Sequence, residues 1–583
     1  MSKRNINEIV KSWLDGPYDN ETKNEILSLQ KEDPSALEDA FYKDLSFGTG
    51  GMRGIMGVGT NRMNIYTIGK ATQGLANYIN EHLKTNDHPS CVICYDSRHH
   101  SHEFATWCAR VLAGNGIEVW ISKELRPTPF TSFMMRKKEA VAGIMLTASH
   151  NTKEYNGYKV YGPDGAQVVA PHDKGIVDAF YNIKSMDDVN VASADSQLIK
   201  ELTTEDDDLF IKAIAKLQIH PQEANDFGDQ IKIIYSSLHG CGITLIPQAF
   251  ESWGLTNYEF VKKQVIADGD FPTVIKPNPE DLEALSMGTK QMIKNHGDIF
   301  IANDPDADRV GVVCMHEGKP YPLTGNEIAA ICFYHIVNTM QQKETLTRNH
   351  ACVSTIVTTR LLKKIANDFK VHYYDVLTGF KYIGEKIHQF EQEENPHQFL
   401  FGAEESYGYL IGTHSRDKDA IVASCMIAQI ALHLKLKGLT LVDLLHDIYQ
   451  LYFIHKEAQK VIALEDSPEG LKKKEHIMQA LRDPNLTKLD DESIVRIEDY
   501  QSGKWHNLIT NESGKLDLPK SDVLVFELED ESRFIIRPSG TEPKVKIYGM
   551  MIFRSFLTVP KGIKEVEKML QERLDAIHKK LIS

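Results

Sequence analysis

Residues 140–161, AVAGIMLTASHNTKEYNGYKVY, decide how this chain is read. The apolar run Ala140 to Ala148 has the make-up of a buried β-strand, and it stops abruptly at Ser149-His150-Asn151. A hydroxyl at the carboxyl end of a buried parallel strand sits where open α/β sheets present their ligands. Asn156-Gly157 reads as a turn into a short second strand carrying Lys159. The stretch offers a nucleophile, an imidazole beside it and a nearby cation. Ser-His-Asn alone would favour a plain polar turn between two strands, so the case rests on what the rest of the chain supplies.

Working outward, the same plan recurs. CVICYDSR is a strand ending in Asp96-Ser97-Arg98; a helix (His102 to Asn115) and the strand IEVWIS follow. This β-then-α order predicts a largely parallel sheet. Upstream, SFGTGGMRGIMGVGTNRMN (46–64) is rich in glycine but is no dinucleotide fingerprint, because Arg53 stands where the third glycine should fall. It reads either as a flexible loop or as an anion-approaching loop with Arg53 as donor. Residues 183–208 are polar and acidic, a boundary zone. Beyond them, GDIFIAND runs into Asp304-Pro-Asp306-Ala-Asp308-Arg309, and HQFLF runs into GAEESYG. Three apolar strands thus end in three polar loops. The loop VLTGFKYIG and a helix over Ala420 to Leu436 belong to the third unit. From about 455 charged helical segments precede two strands and an amphipathic helix with Ile563, Val566, Leu570, Leu574, Ile577 and Leu581 at helical spacing.

Composition narrows the classes. At 583 residues the expectation is about four domains of roughly 150 residues. A net charge of −15 argues against a general nucleic-acid or anionic-membrane binder. The N-terminal MSKRNINEIVKSWLDG is an amphipathic helix without a signal-peptide core, and no run is long enough to span a membrane. Eight cysteines are too sparse for a disulfide scaffold, and Cys91 and Cys94 read as buried strand thiols. A cytoplasmic protein is expected.

The loops carry the chemistry. Asp304, Asp306 and Asp308 would repel one another unless a cation lies between them, and hard oxygen donors suit Mg²⁺. An EF-hand fails, since its sixth position would be Arg309 and its twelfth Met315. A haloacid-dehalogenase-type hydrolase is a rival, but its Asp-x-Asp continues Gly-Thr where this chain has Ala307-Asp308. Arg537-Pro-Ser539-Gly540-Thr541 joins two strands and combines a guanidinium, two hydroxyls and glycine-exposed amides, a cradle for phosphate with Lys544 and Lys546 beyond. Glu404-Glu405-Ser406 offers acceptors for vicinal hydroxyls. Arg416-Asp417-Lys418-Asp419 would pass for a solvated charge run, yet follows the same loop. Together the set describes phosphate chemistry on a hydroxylated small molecule. A separate phosphate clamp makes sense when the substrate carries a phosphate that does not react in that step.

With TASHN, DPDADR, GAEESYG and RPSGT in this order, the chain resembles the α-D-phosphohexomutase superfamily, in its phosphoglucomutase and phosphopentomutase-like branch, over nearly its whole length. The resemblance implies an α/β fold: three related α/β domains with mixed, largely parallel sheets (1–205, 206–323, 324–452) and a smaller C-terminal α+β domain (453–583) around a central cleft. It implies Ser149 as phosphoryl carrier, Mg²⁺ held by phospho-Ser149 with Asp304, Asp306 and Asp308, and Arg53 and Arg309 beside the phosphate. Thr378, Glu404, Ser406 and Lys418 would contact the sugar, and Arg537, Ser539 and Thr541 would clamp the other phosphate. Lys159, with His150, would act as general base or acid, which for lysine asks a lowered pKa. One departure is Thr152, where the family often has proline.

The implied reaction interconverts glucose 1-phosphate and glucose 6-phosphate through glucose 1,6-bisphosphate, which also serves as activator. Small-molecule sugar phosphates are the expected partners; the oligomeric state stays open. Phosphopentomutase or phosphomannomutase activity is the same-class alternative, and a Mg²⁺-dependent sugar-phosphate phosphatase the alternative of another class. A non-catalytic sugar-phosphate sensor would have no use for nucleophile, acids and clamp together.

Overall fold

A computed structural model describes residues 5–48, 51–83, 88–465, 467–539, 544–554 and 558–582. The chain forms two compact units, Met1–Gly325 with Phe380–Thr440, and Asn326–Gly379 with Leu441–Ser583.

The first unit opens with helices Ile6–Asp15, Asn20–Glu32 and Pro34–Phe41, three where the sequence predicts one. Asn5, Asp19 and Asp33 each cap a helix by accepting a backbone amide. Trp13 holds the three together, stacked on Tyr18 at 4.2 Å and edge-on to Phe41.

The first sheet comprises β1 (Phe47–Gly48), β2 (Gly51–Ile55), β3 (Ser90–Tyr95), β4 (Glu118–Ser122), β5 (Ala142–Leu146), β6 (Tyr155–Tyr161) and β7 (Ile199–Leu202). Their order is β1-β2-β6-β5-β3-β4-β7. The run β5-β3-β4-β7 is parallel, and β6, β2 and β1 add antiparallel to one side. Strands β3 and β5 are buried at every position, which is why they read as unbroken apolar runs. Cys91 and Cys94 lie buried within β3 with their thiols pushed up by burial.

Two local expectations change. Asn156-Gly157 is not a turn; it lies inside β6, paired to Gly54 and Arg53. Glycine is needed there because a Cβ at 157 would sit 2.3 Å from the Thr147 carbonyl oxygen. The glycine-rich 46–64 segment is likewise no free loop: its centre is β2, hydrogen-bonded along β6. The polar 183–208 zone contributes β7, the sheet's edge strand beside β4.

The second sheet follows the order β12-β11-β10-β8-β9, with β8 (Ile233–Ser236), β9 (Tyr258–Phe260), β10 (Ile299–Asn303), β11 (Val310–His316) and β12 (Lys319–Leu323). Strands β9, β8 and β10 are parallel, whereas β11 pairs antiparallel with β10 and β12 antiparallel with β11. Two strand pairs follow: parallel β13 (His350–Thr355) and β14 (His372–Val376) in the second unit, and antiparallel β15 (Gln398–Glu404) and β16 (Gly408–Ile411) in the first. The expected loop VLTGFKYIG shortens to 377–379, because Phe380 begins the helix Phe380–Glu391.

The last sheet is antiparallel and lies in the second unit. It comprises β17 (Ile454–Ala463), β18 (Lys488–Leu489), β19 (Glu492–Asp499), β20 (Lys504–Asn507), β21 (Ser513–Lys515), β22 (Leu524–Leu528), β23 (Arg533–Pro538) and β24 (Lys544–Phe553). Strand β17, IHKEAQKVIA, lies where charged helix was expected; ten paired positions along β24 override its helix-like composition. Helix Val559–Ile582 then covers the sheet. Of its six expected apolar positions, five are buried and Leu581 is half-exposed at the end.

Candidate active site

Ser149 stands three residues past the end of β5, almost fully buried, with φ at 53°. A residue with a β-carbon held in this left-handed region costs roughly 1–3 kcal/mol. The loop compensates locally: the Ser149 amide donates to Thr147 Oγ1 at 2.8 Å. The Ser149 hydroxyl lies 2.9 Å from Asp304 Oδ2 and 3.0 Å from His150 Nδ1. Burial, then Arg309 and Arg53, push the His150 imidazole well below its ordinary value, so the ring is neutral near pH 7.

The three aspartates follow β10, and all are buried. The loop is drawn tight by the amides of Asp308 and Arg309, which donate to Asp304 Oδ1 at 3.1 and 3.0 Å. Asp306 accepts from Thr128 Oγ1 at 2.7 Å while its carbonyl accepts the Thr128 amide, so it caps the helix Thr128–Lys137. Lys159, from β6, places Nζ 2.7 Å from Asp306 Oδ2 and 3.0 Å from Asp308 Oδ2. Lys418 reaches the same Asp308 oxygen at 3.2 Å and Asp417 at 2.9 Å.

Acid and base balance unevenly. Burial, Asp306 and Asp308 push the Asp304 carboxyl well above its ordinary value. Burial would raise Asp308 too, but Lys159, Lys418 and Arg309 hold it well below. For Lys159, burial alone would lower the ammonium; Asp306 and Asp308 outweigh it and raise it. The lowered lysine pKa asked for by a general base is therefore not what these surroundings give. Two acceptors are left over: Asp306 Oδ1 and Asp308 Oδ1 are buried without a hydrogen-bond partner. Carboxylate oxygens of the three acids lie within 4.8 Å of one another. Buried, unsatisfied hard oxygens at that spacing fit a divalent cation such as Mg²⁺.

Arg309 donates to Glu280 at 2.7 Å, and Arg53 donates to Asn151 Oδ1 at 3.1 Å beside the serine loop. Glu404 ends β15, buried; burial raises its carboxyl against the pull of Lys418 and Arg309. Ser406 is half-buried in the turn to β16. The loops are joined through backbone: the Val310 amide donates to the Tyr407 carbonyl at 3.0 Å, and that of Ala420 to Ala307 at 3.2 Å. The charge run at 416–419 is wholly buried, not solvated. Lys418 packs against Gly408, where a Cβ would meet its Cδ at 2.2 Å.

The first unit thus brings together Ser149, His150, Lys159, Arg53, Asp304, Asp306, Asp308, Arg309, Glu404, Ser406 and Lys418. Thr378, Arg537 and Ser539 belong to the second unit. Thr378 Oγ1 is buried without a hydrogen-bond partner. Arg537 is the last but one residue of β23 and half-buried, and the Ser539 amide donates to the Lys544 carbonyl at 2.8 Å. Thr541 lies outside the described residues. Sequence reasoning missed Thr128, Glu280, Asp417 as a ligand of Lys418, and Arg98. Only Asp96-Ser97-Arg98 left a signal, as the polar end of a buried strand.

An enzyme built on three α/β/α domains, with a serine and an acidic triad on strand-end loops, is the class these features define. Family models described as phosphoglucomutase/phosphomannomutase α/β/α domains I, II and III match residues 44–187, 208–318 and 324–452. A phosphoglucomutase of Staphylococcus aureus is 36% identical over 524 residues, covering 89% of this chain and 92% of that protein. Among solved structures, a putative phosphomannomutase from Thermus thermophilus shares the fold with TM-score 0.64 at 20% identity, covering 91% of this chain and 99% of that one. The open form of parafusin, a phosphoglucomutase from Paramecium, gives 0.65 at 18%, covering 92% and 95%. The chain belongs to the phosphoglucomutase/phosphomannomutase family and is an enzyme of the isomerase class. Among the described residues, no helix is long and apolar enough to cross a membrane.

Proposed function

We propose that this enzyme interconverts glucose 1-phosphate and glucose 6-phosphate through phospho-Ser149 and a bound glucose 1,6-bisphosphate. The observation that carries this reading is the Ser149 hydroxyl at 2.9 Å from Asp304, within a buried triad whose remaining oxygens suit a metal. Glucose is favoured over mannose or pentose because the curated relatives at 36% identity are phosphoglucomutases.

In the first half-reaction the free hydroxyl of the sugar phosphate attacks phosphorus, the Ser149 Oγ–P bond breaks, the hydroxyl proton passes in the net to Ser149 Oγ, and a bisphosphate forms. In the second, Ser149 Oγ attacks the other phosphorus, the sugar O–P bond there breaks, and the isomeric monophosphate leaves with the proton the serine hydroxyl gives up. His150 Nδ1, on the serine oxygen, exchanges its proton; Lys159 serves as the cationic partner at the sugar hydroxyl. Phospho-Ser149, Asp304, Asp306 and Asp308 would hold Mg²⁺, which would supply charge neutralisation at the transferring phosphoryl group. Arg53 and Arg309 add positive charge beside it. Glu404, Ser406, Lys418 and Thr378 orient the sugar, and Arg537, Ser539 and Thr541 hold the phosphate that is not transferred. Functionally the chain divides as 1–205, 206–323, 324–452 and 453–583, serving phosphoserine, metal, sugar and phosphate in that order. A cytoplasmic location accords with eight free, buried cysteines.

The test is an assay with Mg²⁺ and trace glucose 1,6-bisphosphate on glucose, mannose and ribose 1-phosphates, monitoring free phosphate, beside Ser149→Ala. Isomerisation fastest on glucose 1-phosphate and lost in the variant, by about 10⁴-fold or more, is expected. Phosphate release without isomerisation that survives Ser149→Ala would replace the mutase by a phosphatase.

A further inference from the structure

The strained serine needs something to hold it at Asp304, and Asp304, His150 and Thr147 touch only its hydroxyl and its amide. Behind the loop lies Arg98, just past the end of β3 and almost fully buried. Its Nη2 donates to the carbonyls of Ser149 at 2.6 Å and Asn151 at 2.5 Å. Its Nη1 donates to those of Thr152 at 2.8 Å and Tyr155 at 3.0 Å. A guanidinium carries four hydrogens on its two terminal nitrogens, and here four carbonyls of one loop take them.

The guanidinium also forms an ion pair: its Nε lies 3.4 Å from Asp96 Oδ2 without a hydrogen bond between them. Asp96 accepts from Thr147 Oγ1 at 2.6 Å, and Thr147 Oγ1 in turn accepts the Ser149 amide. The Ser149 amide and carbonyl are thus both tied to the Asp96–Arg98 pair. Ser101 Oγ and the Arg98 amide donate to Asp96 Oδ1 at 2.9 and 3.0 Å. The guanidinium lies 4.9 Å from the centre of the Phe271 ring, which comes from the α/β domain that carries the aspartates. Beside it, Lys153 of the serine loop and His99 both reach Asp270, at 3.2 and 3.3 Å.

We infer that Arg98 is a positioning residue for phosphoryl transfer: it fixes the 149–155 backbone from behind, and through Phe271 it registers that loop against the domain carrying Asp304. This rests on the phosphoserine reading above. Arg98 contacts no reacting atom, so its contribution is to geometry. A misplacement of the reacting atoms by about 1 Å costs on the order of 10²-fold in rate. Lysine keeps the charge but offers three hydrogens from one point, which cannot reach four divergent carbonyls.

The experiment compares wild type, Arg98→Lys and Phe271→Leu as full-length enzyme. It measures kcat and KM on glucose 1-phosphate, and hydrogen exchange of the amides in 149–155. For Arg98→Lys, kcat should fall about 100-fold per folded molecule, with KM within about threefold, and exchange should quicken in 149–155. Phe271→Leu leaves the four carbonyl bonds intact and should give the same pattern, weaker. It carries the test alone if Arg98→Lys does not fold. Unchanged exchange in 149–155, or a kcat loss that only tracks the folded fraction, would overturn the inference. Inactive wild type would count against the mutase reading instead, and exchange would still decide whether Arg98 holds the loop.

Discussion

The strand-end loops of the α/β domains and the end of β23 in the C-terminal sheet are both candidate phosphate-handling elements, but they are built in opposite ways. At the strand ends, Ser149, Ala307 and Tyr407 all take left-handed backbone conformations, with φ of 53°, 49° and 65°. Around them buried groups are paired at hydrogen-bond distance: Lys159 between two aspartates, Asp304 under two amides, Asp306 under Thr128. The end of β23 leaves Arg537 and Pro538 half-buried on a plain antiparallel register with β24, and Ser539 just past it is half-buried too. Bond making wants atoms fixed in advance, so strain is held by burial. Gripping a phosphate that must be released again wants donors that solvent can reach. Damage to the first kind of loop should therefore appear in kcat and in stability, and damage to the second in KM.

Asp308 is where that contrast is sharpest, since one carboxylate serves both Lys159 and Lys418. Asp308→Asn keeps the shape and removes the charge. Leaving two buried ammoniums each short of one partner should cost about 3 kcal/mol of unfolding free energy. Turnover should fall by roughly three orders of magnitude, because a proposed metal ligand goes with it. Denaturant unfolding alongside steady-state kinetics reads both. A variant that keeps wild-type stability while losing only substrate affinity would erase the distinction drawn here.

On the other side, Arg537→Ala removes a charge-assisted donor from the half-buried end of β23. We expect KM for glucose 1-phosphate to rise about 10- to 100-fold, the equivalent of roughly 1.5–3 kcal/mol, with kcat within a few fold. The midpoint of thermal unfolding should barely move. A kcat collapse at constant KM would place Arg537 in the chemical step and merge the two kinds of loop.

The same contrast explains what could be read from the chain. Strands β3, β5 and β10 are buried throughout, so their apolar runs and the polar residues that end them stood out in one dimension. Ser149 and the three aspartates were legible for that reason. Thr128 was not, because its role is a bond to Asp306 that spans 178 positions, and threonine before proline has no distinctive spacing. Arg98 showed only as the end of a strand; that its donors turn back onto 149–155 is a tertiary fact. In β2 and β17 glycine content and charge point away from strand, whereas pairing along β6 and β24 decides their conformation. Leu581 has helical spacing but lies in the last turn, where less packs against it.

The smallest effect tests why the buried loop tolerates three acids at all. Asp304 has its carboxyl raised above the usual 3.8, so the folded protein without metal binds its proton more tightly than the unfolded chain does. That contribution is fully present below the unfolded value and is lost as pH rises through the folded one. Asp308 runs the other way: its lowered carboxyl stabilises the fold above the unfolded value, and that is lost only in strong acid. As the pH rises through the raised Asp304 value, the metal-free loop is left with an uncompensated charge there. A divalent cation relieves it and must displace the proton to bind. The rise in melting temperature given by Mg²⁺ should therefore be larger at about pH 8 than at about pH 5.5, by a few degrees. Asp304→Asn should flatten the difference. A Mg²⁺ effect of equal size at both pH values, unchanged in that variant, would mean that the cation binds elsewhere and that Lys159 and Lys418 alone balance the acids.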